Sequence, residues 1–311
     1  MNNTTLKILL YGLLAALFFS STFIFNKFIA QDGGHWFWSA TLRYIYMLLL
    51  LCMGFYIFKG YAYLKALFSE FFNHLLFWSI AGSIGFGIFY ALICYVAESS
   101  PAWVVATTWQ FTIISTLFIL FFFGKKISKS TWIFVGLVFI GICLINLTYI
   151  TIDNITSQIF SIFLILIASF AYPIGNQLVW ELQNNNEKLS TQRESILKNT
   201  FSKVFLLSLG SLPFWLVLSI FFDVGIPSKN QFTSMFLVAI FSGIMATSLF
   251  LYARAKANSS SKIALVDSTQ SGEVLFTLLF EILFLSILIP SSIGIIGICI
   301  VVIGLIGLSL V

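Results

Sequence analysis

The stretch Val266-Asp267-Ser268-Thr269-Gln270-Ser271-Gly272-Glu273-Val274-Leu275-Phe276-Thr277-Leu278-Leu279-Phe280-Glu281 lies inside apolar sequence that runs from Ile263 to Ile289. It nevertheless carries three carboxylates, an amide and several hydroxyls. An ionisable side chain at bilayer depth costs about 2.5–3.5 kcal/mol on insertion scales, so such groups face a bundle interior or a water-filled cavity rather than lipid. The stretch reads as a membrane span that holds a functional site.

The bulk composition agrees. The chain has 311 residues, of which 59% are hydrophobic and 9% charged, and its mean hydropathy is +1.02. A soluble domain averages about 25% charged residues, so this is an integral membrane protein. Apolar runs of about 20 residues favour helical spans, whereas a barrel would show short alternating strands. The net charge of +5 is explained by where the basic residues fall, without a nucleic-acid partner. Cys52, Cys94, Cys143 and Cys299 lie singly in four apolar segments, and His35 and His74 cluster with no other ligand. No metal or cofactor is expected. The first run follows Lys7 and contains Ala15-Ala16; its length and the similar runs after it make it an uncleaved first span rather than a signal peptide.

Ten spans are expected, at roughly 5–27, 37–58, 72–96, 102–123, 131–149, 157–180, 200–222, 233–254, 263–285 and 291–310. One set of loops and ends then holds thirteen of the sixteen Lys and Arg residues, from Lys7 through Lys59, Lys65, Lys125, Lys126, Lys129, Lys188, Arg193, Lys198, Lys203, Arg254 and Lys256 to Lys262. The opposite set holds Lys27 and Lys229, and Arg43 sits within the second span. The positive-inside rule places the rich set, with both termini, in the cytoplasm. Residues 61–73 repeat Leu64, Leu67, Phe68 and Phe71 at helical spacing and read as an interfacial helix. A polar linker at about 181–199 sits in the connection between the sixth and seventh spans.

The chain divides into 1–150 and 151–311, each with five spans. At an offset of 160 residues, Ala97 falls over Ala257, Ser99-Ser100 over Ser259-Ser260, and Gln110 over Gln270. An odd number of spans per half makes the second half upside down relative to the first. Inverted repeats of this kind characterise secondary transporters, whose site lies near the midplane between the halves. The expected fold is an all-α integral membrane protein of two inverted five-helix repeats.

Several stretches in this order resemble a known family. They are Ser20-Ser21-Thr22-Phe23-Ile24-Phe25-Asn26-Lys27, Thr41-Leu42-Arg43-Tyr44, Tyr90-Ala91 through Ala97-Glu98-Ser99-Ser100-Pro101-Ala102, Leu251-Tyr252-Ala253-Arg254-Ala255-Lys256-Ala257, and Asp267 to Glu281. The chain is similar to the drug/metabolite transporter superfamily in its ten-span EamA-like branch, most of all to the multidrug resistance efflux transporter family. Ser20-Ser21 replaces the branch's usual Trp-Gly, and its proline in spans four and nine is absent. The resemblance implies export of small organic solutes across the cell membrane.

Gln270, Glu273 and Thr277 recur at helical spacing on one face. Glu273 is the expected proton-coupling or cation-binding carboxylate, since desolvation penalises a charged carboxyl; a structural ion pair, or a buried neutral acid bonded to a neighbouring helix, is the alternative. Asp267 reads as a charge at the cytoplasmic rim, within reach of Lys262 or Arg254. Glu281 reads as a vestibule charge. In the fourth span Thr108, Trp109 and Gln110 offer matching polar and aromatic lining, with Trp109 either stacking on substrate or packing in the core. Tyr90, Tyr172, Asn176 and a break at Pro173 are further cavity candidates. Arg43 and Lys27 read as structural or gating charges, with substrate contact the alternative, Arg43 being marked by the resemblance. Gly82-Ser83-Ile84-Gly85-Phe86-Gly87 lacks the Lys-Ser/Thr of a phosphate loop and reads as close helix packing, as do Gly297 and Gly304.

No Walker motif is present, so ATP does not drive transport through this chain. The expected function is alternating-access export of small organic solutes or amphipathic drugs, coupled to protons by antiport. An uncoupled exporter or facilitator for amino acids or nucleobases is the nearest alternative. A polytopic membrane enzyme would want a clustered nucleophile and base or a metal site. The expected partners are the solute, protons and the lipid bilayer, with the chain a monomer or homodimer.

Overall fold

A computed structural model describes residues 3–124, 129–184, 191–256, 266, 269–308 and 310. Among the described residues there is no β-strand. The elements in order are α1 (Asn3–Gln31), α2 (Trp36–Lys59), α3 (Tyr61–Asn73), α4 (Leu75–Ala97), α5 (Ala102–Phe122), α6 (Lys129–Tyr149), α7 (Ile155–Asn184), α8 (Thr191–Lys198), α9 (Thr200–Phe221), α10 (Lys229–Ala253), α11 (Gly272–Leu285) and α12 (Ser292–Leu308). Eight of these, all but α3, α8, α11 and α12, are long and apolar enough to cross a membrane. The chain is a multi-pass membrane protein.

Side chains set several helix starts. The His35 ring accepts the Phe37 N–H, Asn199 accepts the Ser202 N–H, and Ser228 accepts the Gln231 N–H, each satisfying a donor the helix itself leaves open. Of the expected ninth span, residues 263–265, 267 and 268 lie outside the described residues. Its described α-helix, α11, has 14 residues and begins at Gly272, after a 3₁₀ turn at Thr269–Ser271. The Thr269 hydroxyl donates to the Val266 carbonyl at 2.6 Å, the local side-chain bond by which Thr competes with a regular helix. The helix α12 has 17 residues. Conversely, the break expected at Pro173 is not there: α7 runs through it. Neighbouring elements support such a proline inside a membrane bundle, at the loss of one backbone hydrogen bond.

The packing crosses between the two halves of the chain. The helix α1 lies against α10 and α11, while α7 lies against α4 and α5; α2 meets α10, α9 meets α4, and α6 pairs with α12. Glycine lets these helices approach closely. A Cβ on Gly85 would stand 2.9 Å from the Gly175 Cα, and one on Gly297 would stand 3.0 Å from the Gly141 carbonyl oxygen. The Gly-rich run at 82–87 is therefore a packing surface. Two helices loosen into π-helix at Ser83–Ile88 in α4 and Ala239–Ala246 in α10, a distortion often found at functional sites.

The residues 61–73 form the expected helix, with Leu67 and Phe71 buried and Tyr61 and Phe72 exposed. Glu70 on its buried face is paired with Arg193 of α8 at 3.0 Å and also accepts from the Trp78 indole. The polar linker is thus tied to the first half of the chain.

Candidate functional site

The helices enclose a cavity of about 900 Å³. Its lining runs from Thr22, Arg43 and Tyr44 to Thr200, Lys203 and Leu308, which stand at the start of α9 and the end of α12. Toward the other end of the bundle rings pack together: Trp36 packs on Tyr95 and Phe222, and Trp215 packs on Phe37 and Tyr44. The cavity accordingly reaches one end of the protein and stops short of the other.

Arg43 carries the positive charge of this cavity at depth. Its Nη2 donates to Ser242 Oγ at 3.1 Å and its Nη1 to Thr22 Oγ1 at 3.5 Å, and Thr22 donates to Ser242 at 2.7 Å. The guanidinium carbon stands 4.3 Å from the centroid of the Tyr90 ring, a cation–π contact. Tyr90 is itself fixed through its hydroxyl by Asn26 Nδ2 at 3.1 Å. All these partners are neutral. Arg43 Nε, Gln270 Nε2 and Thr112 Oγ1 are buried without a hydrogen-bond partner.

Glu273 carries the negative charge. It lies in the first turn of α11, where the helix dipole favours a carboxylate. Gln110 is its hydrogen-bonding neighbour and Arg43 the cation that acts on it. Among the described residues, no ion pair within 4.0 Å includes either Arg43 or Glu273. A cation and a carboxylate therefore face one cavity without touching. Between helices α4, α5 and α7, the wall is aromatic: Phe89 lies 4.7 Å from Trp109 and 5.0 Å from Tyr172, and Trp109 lies 5.7 Å from Tyr172, centroid to centroid.

Of the residues expected from sequence, Arg43, Trp109, Gln110, Tyr172, Asn176, Gln270 and Glu273 all line this cavity. Trp109 packs on the Phe89 and Tyr172 rings and also lines the cavity. Three others sit behind the lining. Tyr90 is buried under Arg43. Thr108 is turned to Asn146, which donates to its hydroxyl at 3.0 Å. Thr277 is buried and donates to the Glu273 carbonyl at 2.7 Å, so the shared helical face does not carry it into the cavity. Asp267 lies outside the described residues, as do Lys262 and the side chain of Arg254. Thr22, Ser242 and Phe89 were not expected from sequence. Serine and threonine are common in helix interiors and Phe is abundant here, so pattern alone gave no reason to single them out.

Glu281 and Lys27 stand at the other end of the bundle. Glu281 is fully buried, and its two oxygens accept the N–H groups of Ala102 and Trp103 at 2.7 Å each. It caps the start of α5 and also borders a smaller cavity at this end. Lys27 donates to the Ala97 carbonyl at 3.1 Å. On the same corner, Glu98 accepts the Trp36 N–H and Tyr149 donates to the Ser99 carbonyl. Four helices, α1, α2, α6 and α11, thus hold the α4–α5 corner, beside a smaller cavity of about 420 Å³ that Lys27 and Glu281 border.

Comparison with known proteins gives consistent results. The sequence profile of one family, described as "EmrE: Putative multidrug resistance efflux transporter", matches residues 6–311. The chain is 35% identical over 316 aligned positions to the uncharacterized protein YjlA of Bacillus subtilis (strain 168), covering 96% of this chain and 93% of that protein. It is 33% identical over 281 positions to an uncharacterized 42.1 kDa protein of Shouchella clausii, covering 86% of this chain and 70% of that one. A protein of known crystal structure shares the fold, with a TM-score of 0.61 at 12% identity, over 96% of this chain and 94% of the other.

Proposed function

Since the chain belongs to the multidrug resistance efflux transporter family, we propose that it is a secondary transporter that exports small organic solutes through the 900 Å³ cavity by alternating access. One observation carries this reading: the cavity holds a carboxylate with no ion pair among the described residues, a cation and an aromatic wall, and it reaches one end of the bundle while ring packing separates it from the other. A site reachable from one side is one half of an alternating-access cycle.

Ten spans in two inverted repeats account for the packing. Exchange of α1 with α7, α2 with α9, α4 with α10, α5 with α11 and α6 with α12 maps the packing of α1 on α10 and α11 onto that of α7 on α4 and α5, and the packing of α2 on α10 onto that of α9 on α4. The π segments of α4 and α10 are exchanged by the same operation, as are the helix interruption at Gln110 and the turn at Gln270. With the Lys-rich ends in the cytoplasm, the cavity faces inward and the α4–α5 corner closes the outside.

Export then proceeds by competition on Glu273. Solute enters from the cytoplasm and its cationic group displaces a proton from the carboxyl; the bundle rocks, the outer corner opens, and external protons displace the solute. The coupling requires that proton and solute never occupy Glu273 together. The test is flux in proteoliposomes for a panel of amino acids, nucleobases and lipophilic cations, with and without a pH gradient. Gradient-dependent flux of a panel member is expected. Absence of flux for every member would overturn the reading.

A further inference from the structure

We infer that the solute is amphoteric and aromatic: an anionic group docks on Arg43, an ammonium group on Glu273, and a ring lies against Phe89, Trp109 and Tyr172. The inference rests on the reading that this cavity binds the transported solute, and it narrows that reading from small organic solutes in general to molecules with two opposite charges.

Electrostatic balance carries the argument. Arg43 is held by neutral groups alone, the hydroxyls of Thr22 and Ser242 and the side chain of Tyr90, with its Nε unpartnered. A guanidinium presents five donors in a planar fork suited to a carboxylate, so much of its donor capacity is unused. Glu273 has an amide neighbour and no cation within 4.0 Å among the described residues. Each charge is short of a contact counter-ion, yet they share one cavity. They do not satisfy each other, and a ligand with both signs satisfies them together.

A simple lipophilic cation fits less well. It gains Glu273 and the aromatic wall, but it brings a positive charge into a low-dielectric cavity that already holds Arg43. A simple anion has the reverse problem at Glu273. Two further unpartnered groups on the lining, Gln270 Nε2 and Thr112 Oγ1, can donate to the anionic end of the ligand. Apolar drugs without polar groups would leave all of these unsatisfied, at a cost to affinity.

The aromatic wall sets the third requirement. Phe89, Trp109 and Tyr172 stand within 5.7 Å of one another by ring centroid, and each lines the cavity. Ring contacts of this kind prefer offset or edge-on partners. A ligand ring completes the cluster where an aliphatic chain only fills it.

The test is equilibrium binding to the purified full chain in lipid nanodiscs, by calorimetry, so that neither flux nor a gradient is needed. The probes are phenylalanine, phenylalanine amide (no carboxylate), N-acetylphenylalanine (no ammonium) and tetraphenylphosphonium. Phenylalanine is expected to bind at least about tenfold more tightly than each of the other three, the loss that follows from one unpaired buried charge. Arg43→Gln should abolish discrimination between phenylalanine and its amide, and Glu273→Gln that between phenylalanine and its N-acetyl form. Arg43→Lys, which keeps the charge, should restore part of the first discrimination and guards against misfolding as the cause. Equal or tighter binding of the amide or of tetraphenylphosphonium overturns the inference, and so does failure of phenylalanine to bind. Charge-dependent binding with no flux in proteoliposomes would instead overturn the transporter reading alone.

Discussion

The carboxylate of Glu281 accepts the backbone N–H of Trp103 at 2.7 Å, joining the far end of α11 to the first turn of α5. The second oxygen does the same for Ala102. Glu281→Gln replaces one acceptor with a donor that faces an N–H. Hydrogen bonds to charged groups contribute about 1.5–3 kcal/mol, so the variant should melt several degrees below wild type in detergent. An unchanged melting temperature would show that the cap does not hold this corner.

Close glycine contacts give a prediction with an internal control. A Cβ on Gly85 meets the backbone of Gly175 at 2.9 Å, whereas one on Gly54 meets nothing within 4 Å. Backbone cannot yield as a flexible side chain does, and overpacking costs about 1–3 kcal/mol. Gly85→Ala should therefore lower the melting temperature, while Gly54→Ala should leave it equal or raised, since Ala favours helix by about 1 kcal/mol. Equal melting of the two variants would contradict the packing of α4 on α7.

The buried face of α3 depends on α8. Glu70 is 6% exposed and its partner Arg193 is 20% exposed, so removing the cation leaves a carboxylate inside the protein. Arg193→Ala should cost about 3 kcal/mol, the low end for a broken buried pair because Arg193 keeps some contact with solvent. In a double-mutant cycle with Glu70→Gln, the two losses should be less than additive. Strict additivity would mean that the pair contributes nothing.

Much of this organisation was legible in the sequence because it follows from composition and spacing. Apolar runs gave the helices, and the polar residues of the ninth run marked one side of the cavity through Gln270 and Glu273. The fourth run marked another through Trp109 and Gln110. What could not be read was side-chain direction. Thr277 shares the helical spacing of Glu273 but turns its hydroxyl to its own helix, and both oxygens of Glu281 go to the start of α5, where Trp103 is 178 residues away in sequence. The partners of Arg43, Thr22 and Ser242, come from two distant helices. No local pattern announces such a pairing, which depends on how α1, α2 and α10 pack.

Orientation is tested by labelling. In a chain whose native cysteines are replaced by alanine, Asn154→Cys lies between α6 and α7 and Glu194→Cys lies in α8, both at exposed positions. A membrane-impermeant maleimide should reach Asn154→Cys on intact cells and Glu194→Cys only after permeabilisation. The opposite pattern would invert the bundle and turn the inward-facing cavity outward.

The central claim is that one carboxylate couples solute to proton. It is tested most directly by comparing wild type with Glu273→Gln in proteoliposomes, measuring both pH-driven accumulation and solute-for-solute exchange at equal pH. Wild type should accumulate solute against its gradient. Glu273→Gln should lose that accumulation to the level of protein-free liposomes, whether or not exchange survives. Undiminished pH-driven accumulation by the variant would contradict the account and remove Glu273 as the coupling site.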